Sequence, residues 1–309
     1  MFFKNYNNFI TIVECGSITR AAEILFLTQP SLSKYLKRLE QNLGVELFDH
    51  HASPLKLTYA GKRYYEYIKR IQAMDRQFSE ELSGLRNNEV GEIRVGIAQW
   101  RGAIMLPTLI PAFHKHHPKW DIVLKEGRAV QVETALVQGE VDICLMNFPS
   151  HFPSQTIQET LWSEKCILVG NKQHPLVKKA ISSIPIQKDG YRHVDITFLE
   201  NEHFISLQPG QNMTVATDRL LAQQNIRPRK IWQTENMSTA LNMVSNTMSF
   251  TIMPEMGAKT QFVPDNVEFF AIEHSEELLL FGVVYRKNFV LNKQIHTLIN
   301  LTKSIYNKS

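Results

Sequence analysis

The chain lacks any apolar segment long enough to cross a membrane, since no hydrophobic run approaches the ~20 residues that a transmembrane helix requires. Residues 1–8 contain no basic stretch followed by an apolar core, so the sequence predicts no signal peptide, no membrane partner and a cytoplasmic protein. Cysteine is scarce as well. Cys15, Cys144 and Cys166 lie far apart in apolar stretches without the spacing of a zinc site, which favours buried small side chains over the alternative of a redox-sensing thiol.

Motifs of the common enzyme classes are also missing. The sequence contains no G-x-S-x-G elbow, no P-loop, no H-E-x-x-H zinc motif and no dinucleotide fingerprint. His114, His116 and His117 are close together, but they run into Pro118 and no nearby carboxylate completes a ligand set. A solvated helix end is therefore favoured over a metal site. We predict no metal ion and no cofactor, and an enzyme is the disfavoured alternative.

The length of 309 residues is too great for one ordinary hydrophobic core, so two or three domains are expected. The charge is unevenly distributed between them. Residues 1–72 contain 10 lysines and arginines and 6 aspartates and glutamates, whereas residues 73–309 contain 24 of each. The whole excess of +4 therefore lies at the start of the chain, which indicates a polyanionic partner for that part.

Three short helices are predicted at the start of the chain. Apolar residues at helical spacing indicate one helix over 5–14 and a second over 18–25. A third begins after Thr28, which can cap it, with Pro30 in its first turn and Gly44 at its end. Its inner face carries Leu32, Leu36, Leu39 and Leu43. A tight connection between the second and third helices is typical of a helix-turn-helix.

The face of the third helix opposite its leucines is polar. It holds an amide, hydroxyls and cations, which suit base edges and phosphates, although a plain solvated face has a similar composition. Two strands around a polar turn, over 45–48 and 55–58, then indicate a small wing. The candidate DNA-binding residues are Thr28, Gln29, Pro30, Ser31, Ser33, Lys34, Lys37, Arg38, His50 and Lys56.

A series of residues over 9–61 forms one ordered pattern: Phe9, Gly16-Ser17-Ile18-Thr19, Ala21-Ala22, Leu25, Thr28-Gln29-Pro30-Ser31-Leu32-Ser33, Leu39-Glu40, Leu43-Gly44, Leu47-Phe48 and Leu57-Thr58-Tyr59-Ala60-Gly61. With these residues the segment resembles the DNA-binding domain of LysR-type transcriptional regulators. The family usually has an aromatic residue where Ile18 stands. It often has arginines in the wing, where this chain has His50 and Ser53, so that only Lys56 remains there as a fixed cation.

A long helix is predicted over 60–87, after a winged helix-turn-helix domain over 1–59. Its apolar stripe fits a coiled-coil seam or, equally, a helix lying on its own domain, and Asp75 interrupts it. We favour a dimer because two half-sites need two copies of a helix-turn-helix. The resemblance implies that such helices link domains and pair subunits. The stripe consists of Tyr64, Ile68, Ile71, Phe78, Leu82 and Leu85.

The remainder, 91–309, alternates strands and helices, beginning with a strand over 92–98 and a helix over 106–117. The fold class is therefore α/β multidomain. Looser motifs are Leu106-Pro107, Phe113, Pro118, Gly139-Glu140-Val141-Asp142 and His174-Pro175-Leu176. With them the pattern resembles the effector domain of the same family, itself similar to type 2 periplasmic binding proteins. The predicted division is subdomain I over 91–160 and 268–309 and subdomain II over 161–267, with crossovers near Thr160 and Val267; the stretch 185–193 is assigned no element.

Ligands in such sheets bind beyond the carboxyl ends of the strands. Arg101 and Arg128 could hold a carboxylate or other anion there, and Trp100 could stack on a flat ligand. The alternatives are that Arg128 is only a surface charge and that Trp100 covers the core. The candidate effector-binding residues are Gln99, Trp100, Arg101, Gly102, Arg128, Asn147, Phe148, Ser206, Leu207, Gln208 and Thr251.

Together these patterns predict a transcriptional regulator. Its dimers, assembled into tetramers through the effector domains, would bind dyad-symmetric promoter DNA and respond to a small, anionic effector. RNA polymerase is a further candidate partner. A solute-binding protein without a DNA role is the alternative, and the absent signal peptide and the dense N-terminal motif count against it.

Overall fold

The computed structural model describes residues 5–50, 52, 54–84, 90–148, 154–259, 263–273 and 278–307. The chain divides into two compact units, Met1–Asn88 with Gln138–Glu140, and Glu89–Val137 with Val141–Ser309. None of the helices in the described ranges combines the length and the apolar character needed to cross a lipid bilayer.

The first unit begins with three helices whose ends follow from local capping. The Ser17 hydroxyl accepts a hydrogen bond from the Arg20 amide, and the Thr28 hydroxyl accepts one from the Ser31 amide, each at 3.4 Å. Gly44 ends the third helix in the left-handed region, with φ +72°. Each of these contacts joins residues close in sequence, so the sequence alone could indicate them. The structure confirms the three predicted helices. They are α1 (Tyr6–Cys15), α2 (Ile18–Ile24) and α3 (Gln29–Leu43).

A small wing and a long helix complete this unit. The wing strands pair antiparallel and are shorter than predicted. The Thr58 hydroxyl accepts a hydrogen bond from the Gly61 amide at 3.0 Å, at the start of the long helix. Gly61 is needed there because a Cβ at this position would overlap the carbonyl oxygen of Leu47. The elements are β1 (Phe48–Asp49), β2 (Lys56–Leu57) and α4 (Tyr59–Gly84).

The core of the first unit joins α4 to the short helices. The Phe9 ring packs against Phe48 and Tyr64, with centroid distances of 5.2 and 4.9 Å. Because Tyr64 is buried, the first half of α4 lies on its own domain. Asp75, the polar interruption of the stripe, accepts a hydrogen bond from the Tyr6 hydroxyl at 2.8 Å. The buried core comprises Phe9, Ile10, Ile12, Ala21, Ala22, Leu32, Leu36, Leu39, Leu47, Phe48, Tyr64 and Ile68.

The second unit alternates strands and helices, as predicted. Its helix after the first strand begins at Gln99 rather than at residue 106, so residues 99–102 form a helical turn. In chain order the elements are β3 (Gly91–Ala98), α5 (Gln99–His116), β4 (Trp120–Gly127), α6 (Ala129–Gln138), β5 (Ile143–Asn147), β6 (Thr156–Asn171), α7 (Pro175–Ser183), β7 (Arg192–Val194), β8 (His203–Leu207), α8 (Asn212–Gln223), β9 (Arg229–Thr234), α9 (Met237–Asn246), β10 (Phe250–Pro254), β11 (Val267–Ile272), β12 (Leu278–Arg286) and α10 (Lys293–Tyr306).

Two sheets that mix parallel and antiparallel strands share one long strand. In subdomain I, β3 pairs in parallel with β4 and β5, and β12 continues that sheet. In subdomain II, β8 pairs in parallel with β9 and β10. The strand β6 is antiparallel to its neighbours and belongs to both sheets: 156–165 pairs with β12, and 166–171 pairs with β10 and β11.

This shared strand corrects both predicted crossovers. The change of sheet falls after Lys165, not near Thr160. The return was predicted at 268, but β11 pairs with β6 and β7 of subdomain II, so the chain returns to subdomain I after Ile272. In the order of the described elements, β6 follows β5 and β12 follows β11 with no helix between them, and β6 pairs antiparallel with both β11 and β12. A strand–helix rhythm therefore does not reveal these crossovers.

The unassigned stretch 185–193 ends in an edge strand. The Gln187 amide donates to the Tyr191 carbonyl at 2.7 Å, which closes a turn. The next residue, Arg192, opens β7 and forms an ion pair with Glu268 at 2.6 Å. Its Nε also donates to the Ile184 carbonyl at 3.0 Å. The stretch therefore extends the sheet of subdomain II beside β11.

The histidines near the end of α5 have structural neighbours. The helix ends at His116, and the His117 ring lies 3.1 Å from the Thr297 hydroxyl and 5.1 Å from the Phe113 ring centroid. Among the described residues, no group of three or more histidine, cysteine, aspartate or glutamate side chains is arranged to hold a metal ion. Of the cysteines, Cys144 and Cys166 are buried.

Candidate functional site

The polar face of α3 is open to solvent. Gln29, Pro30 and Ser31 in its first turn are exposed. The Thr28 hydroxyl donates to the Ser31 hydroxyl at 2.9 Å and so orders the entry to the helix. Further along, Lys34, Lys37 and Arg38 are exposed and Ser33 is partly exposed. The opposite face of α3 is buried in the core, so the predicted DNA-binding residues of this helix share one accessible surface.

The wing is tied to α3 by Glu40. One of its carboxylate oxygens accepts hydrogen bonds from the Leu47 and Phe48 amides at 2.7 and 3.2 Å. The other lies 3.3 Å from Nε2 of His50. The predicted contact residue His50 is thus directed toward a carboxylate of its own domain, while Lys56 on β2 remains exposed. Ser53 lies outside the described residues.

A cavity of ≈ 280 Å³ opens in the second unit at the carboxyl ends of its parallel strands. Helices α5, α6, α8 and α9 all begin at its wall. A site of this size and position can hold a small organic molecule. The lining residues are Ala98, Gln99, Trp100, Arg101, Gly127, Arg128, Ala129, Met146, Asn147, Leu207, Gln211, Asn212, Met213, Glu235, Asn236, Met237 and Pro254.

Only part of the predicted effector site is brought together. The structure places six predicted residues in the lining, namely Gln99, Trp100, Arg101, Arg128, Asn147 and Leu207. It does not place there Gly102, Phe148, Ser206, Gln208 or Thr251. The Thr251 hydroxyl donates to the Ile205 carbonyl inside the sheet, and the buried Ser206 hydroxyl has no hydrogen-bond partner among the described residues.

The residues that sequence reasoning missed lie mostly at helix starts. Gln211 and Asn212 begin α8, and Asn236 and Met237 begin α9. The sequence contained a signal for them, because a helix that follows a parallel strand starts at the same edge where that strand ends. Glu235, the acidic residue between β9 and α9, lies at the same edge and was also missed.

Arg101 has a partner inside the protein. Its side chain is 2% exposed and forms a buried ion pair with Glu164, which is 6% exposed. Asn147 joins the pair: its Oδ1 accepts from Arg101 at 2.7 Å and its Nδ2 donates to Glu164 at 3.1 Å. A carboxylate ligand at Arg101, as predicted, would therefore have to compete with Glu164 for the guanidinium.

Two contacts cross the cavity from one subdomain to the other. Arg128, after β4, forms an ion pair with Glu235, before α9, at 3.2 Å. Both side chains are about half exposed, at 51% and 53%. Deeper in, the side-chain amide of Asn212 donates to the carbonyl of Asn147 at 2.8 Å. The two subdomains are thus held together at the mouth and at the wall of the cavity.

Two of these helices, α5 and α8, begin without a side-chain cap. Ala98 precedes α5 and Gln211 precedes α8, and neither side chain accepts a hydrogen bond from the helix. By contrast, Asn236 caps α9 by accepting from the Ser238 amide at 2.8 Å. Because a helix start carries partial positive charge, the cavity wall favours an oxygen atom of a ligand at the starts of α5 and α8.

Two family models match the chain. Residues 3–62 match the model described as "Bacterial regulatory helix-turn-helix protein, lysR family". Residues 86–305, more than half of the chain, match the model described as "LysR substrate binding domain". The first match contains the exposed face of α3, and the second contains the cavity.

Similar proteins extend over most of the chain. The "Uncharacterized HTH-type transcriptional regulator YybE" of Bacillus subtilis (strain 168) is 27% identical over 260 residues, which cover 83% of each protein. The "Probable RuBisCO transcriptional regulator" of Trieres chinensis is 25% identical over 298 residues, 95% of this chain and 93% of that protein. The crystal structure of CbnR, a LysR family transcriptional regulator, has a TM-score of 0.68 and 19% identity, covering 98% of this chain and 99% of CbnR. At that identity the likeness shows a common fold.

Proposed function

Because the chain belongs to the LysR family of transcriptional regulators, we propose how its two units carry out that function. It is a DNA-binding regulator with a ligand-binding effector domain, so the resemblance and the fold class predicted from its residues are confirmed. We assign it no catalytic role. We place it in the cytoplasm because a regulator of this family works on promoter DNA.

The exposed polar face of α3 carries the proposal for DNA binding. Placed in a major groove, this helix would direct Gln29 and Ser33 toward base edges, and Lys34, Lys37 and Arg38 toward bases and phosphates. Thr28 and Ser31, ordered by their mutual hydrogen bond, would contact the backbone at the start of the helix. Lys56 on the wing would add one phosphate contact, and His50 would contribute less because it faces Glu40.

An exposed apolar face of α4 supports a dimer. Tyr67, Met74 and Phe78 recur at helical spacing and are 50%, 62% and 62% exposed. A second copy of α4 would bury this apolar face, since large exposed apolar groups on one helix face are typical of an interface. Such a dimer presents two α3 helices related by a two-fold axis, and so binds dyad-symmetric DNA. We propose that effector domains join two dimers into a tetramer.

Selection from a pool of random DNA duplexes with the full-length protein tests this proposal. The recovered sequences should contain an inverted repeat whose half-sites are related by a dyad. Light scattering of the protein without DNA should give a dimer or tetramer, and replacing both Met74 and Phe78 by glutamate should shift it toward the monomer. Recovery of no enriched sequence, or of a single asymmetric half-site, would contradict the proposed mode of binding.

The cavity is the proposed effector site. It lies between the subdomains, and the contacts Arg128–Glu235 and Asn212–Asn147 cross it. A ligand that contacts both walls would change the balance between open and closed arrangements, because it binds one of them better than the other. The change would alter how effector domains pack in the oligomer, and with it the spacing of the DNA-binding pairs.

A further inference from the structure

Two arginine side chains line the cavity, and each is paired with a carboxylate. Among its lining residues, within the described part of the chain, three are charged: Arg101, Arg128 and Glu235. Arg128 pairs with Glu235 at the mouth, and Arg101 pairs with Glu164 behind the wall. Two positive charges are therefore matched by two negative charges, and the site has no net charge to offer an anion.

An incoming carboxylate would have to displace one of these partners. Glu164 is buried, and removing a buried charge from its partner is strongly unfavourable because the partner is left uncompensated. A backbone contact also holds Glu164 in place, since the Met256 amide donates to its carboxylate at 3.4 Å. At the mouth, an anion near Arg128 would lie beside Glu235 and meet repulsion between like charges.

The cavity does offer side-chain amide groups beside an apolar wall. Gln211 donates to the Glu235 carbonyl at 3.2 Å, Asn212 donates to the Asn147 carbonyl, and Asn236 accepts from Ser238. Each of these three side chains uses one end of its amide in those bonds, so the opposite end can meet a ligand. The apolar part of the wall is Ala98, Trp100, Ala129, Met146, Leu207, Met213, Met237 and Pro254.

We infer that the effector is an uncharged molecule with a planar apolar body and an amide or carbonyl group, and that Glu164 and Glu235 exclude its carboxylate counterparts. The carbonyl oxygen would lie at the uncapped starts of α5 or α8, where partial positive charge suffices for a neutral acceptor. The ring would lie against Trp100 and the methionines. This inference rests on the proposal that the cavity is the effector site.

Matched pairs of an amide and its acid test the inference. The full-length protein is heated with nicotinamide or nicotinate, and with benzamide or benzoate, each at the same millimolar concentration and pH. The amides should raise the melting temperature, and the acids should leave it unchanged. An equal or larger rise with the acids would overturn the inference. The inference would also be overturned if none of the four compounds raised the melting temperature of the wild type or of either variant described next.

Two variants examine the excluding role of the carboxylates. Glu235→Gln frees the charge of Arg128 on an exposed side chain, so folding should be unaffected. Glu164→Gln frees Arg101 and keeps a hydrogen-bond acceptor, but it can destabilise the buried cluster. In Glu235→Gln the acids should now raise the melting temperature by at least as much as the amides. If neither variant gains a response to the acids, the carboxylates do not set the charge preference.

A variant that fills the cavity separates failure of this inference from failure of the proposed site. Ala129 lines the cavity, and Ala129→Trp should abolish the response to the amides. If the amide response survives in Ala129→Trp, the ligand binds elsewhere and the proposed site is wrong. Suppose instead that the wild type responds equally to acids and amides and that Ala129→Trp loses both responses. The proposed site is then right and the proposed charge preference is wrong.

Discussion

Arg101 and Glu164 form a buried ion pair where the start of α5 meets the strand that both subdomains share. Arg101 comes from subdomain I, and Glu164 lies one residue before the last position of β6 that pairs with β12. Asn147 bonds to both members of the pair, and its carbonyl accepts from Asn212 of subdomain II. The pair therefore supports the wall of the cavity and connects it to β6, the strand that both subdomains share.

Removing one member of this pair should destabilise the effector domain strongly. Arg101→Met leaves Glu164 buried and unpaired, so we expect a loss of about 3–5 kcal/mol in the free energy of unfolding. The double variant Arg101→Met with Glu164→Leu should lose less than the single one, because no uncompensated charge remains. Urea unfolding followed by tryptophan fluorescence measures both. Equal losses in the single and double variants would show that packing, not charge, governs this site.

Glu40 should hold the wing in place through its acceptor oxygens rather than through its charge. Glu40→Ala removes the acceptor of the Leu47 and Phe48 amides, so we expect a loss of about 1–3 kcal/mol and weaker DNA binding. Glu40→Gln keeps an amide oxygen at the same position and should retain most of the stability. The two variants are compared by urea unfolding. A Glu40→Gln protein as unstable as Glu40→Ala would instead assign the effect to the ion pair with His50.

Lys34 should contribute a contact to DNA that depends on salt. Lys34→Ala should weaken binding to specific and random duplexes alike and reduce the slope of log affinity against log salt by about 1. Fluorescence anisotropy over a salt series gives the slope. Lys178→Ala provides the control, because Lys178 is an exposed lysine on α7, far along the chain from the winged unit. Identical slopes for Lys34→Ala and the wild type would remove Lys34 from the interface.

Cys144 should be inert in the native protein. Burial raises the pKa of its thiol, the nearby Glu133 raises it further, and the thiol donates to the Val132 carbonyl at 3.6 Å. Cys166 is buried too, so a thiol reagent at neutral pH should modify at most Cys15 before unfolding and all three afterwards. In a Cys15→Ser protein the native reaction should disappear. Rapid modification of Cys144 in that protein would revive the redox-sensing alternative.

The first unit should lose stability in alkaline solution. Burial raises the pKa of Tyr64 from 10.0 to about 12, so the folded state retains a proton that the unfolded state releases. The stabilising contribution is complete below the unfolded value of 10.0 and is lost as the pH rises toward 12. Tyr64→Phe keeps the ring against Phe9, and its unfolding free energy should fall less steeply over this range. Parallel curves for the two proteins would contradict this assignment.

Much of the fold could be predicted because its signals are local. Thr28 caps α3 through Ser31, three residues away, and Gly44 ends the same helix. The leucine stripe of α3 identified its buried face, and hence the exposed face that we propose contacts DNA. In the effector domain, the alternation of strands and helices predicted parallel sheets and placed Gln99 and Trp100 at the correct strand end.

The sequence by itself determined the ends of the first three helices, the polar face of α3, the concentration of positive charge at the start of the chain and the α/β class of the remainder. These features depend on hydrogen bonds and periodicity within a few residues. Tertiary structure alone decided the partners of the charges, because Arg101 meets Glu164 and Arg128 meets Glu235 only after distant strands pair. It also decided the continuity of β6, since antiparallel pairing with β10, β11 and β12 defines that strand. The sequence does not show which charges will attract one another when they lie on different elements. The pairing of the charges at the cavity is therefore visible only in the folded chain.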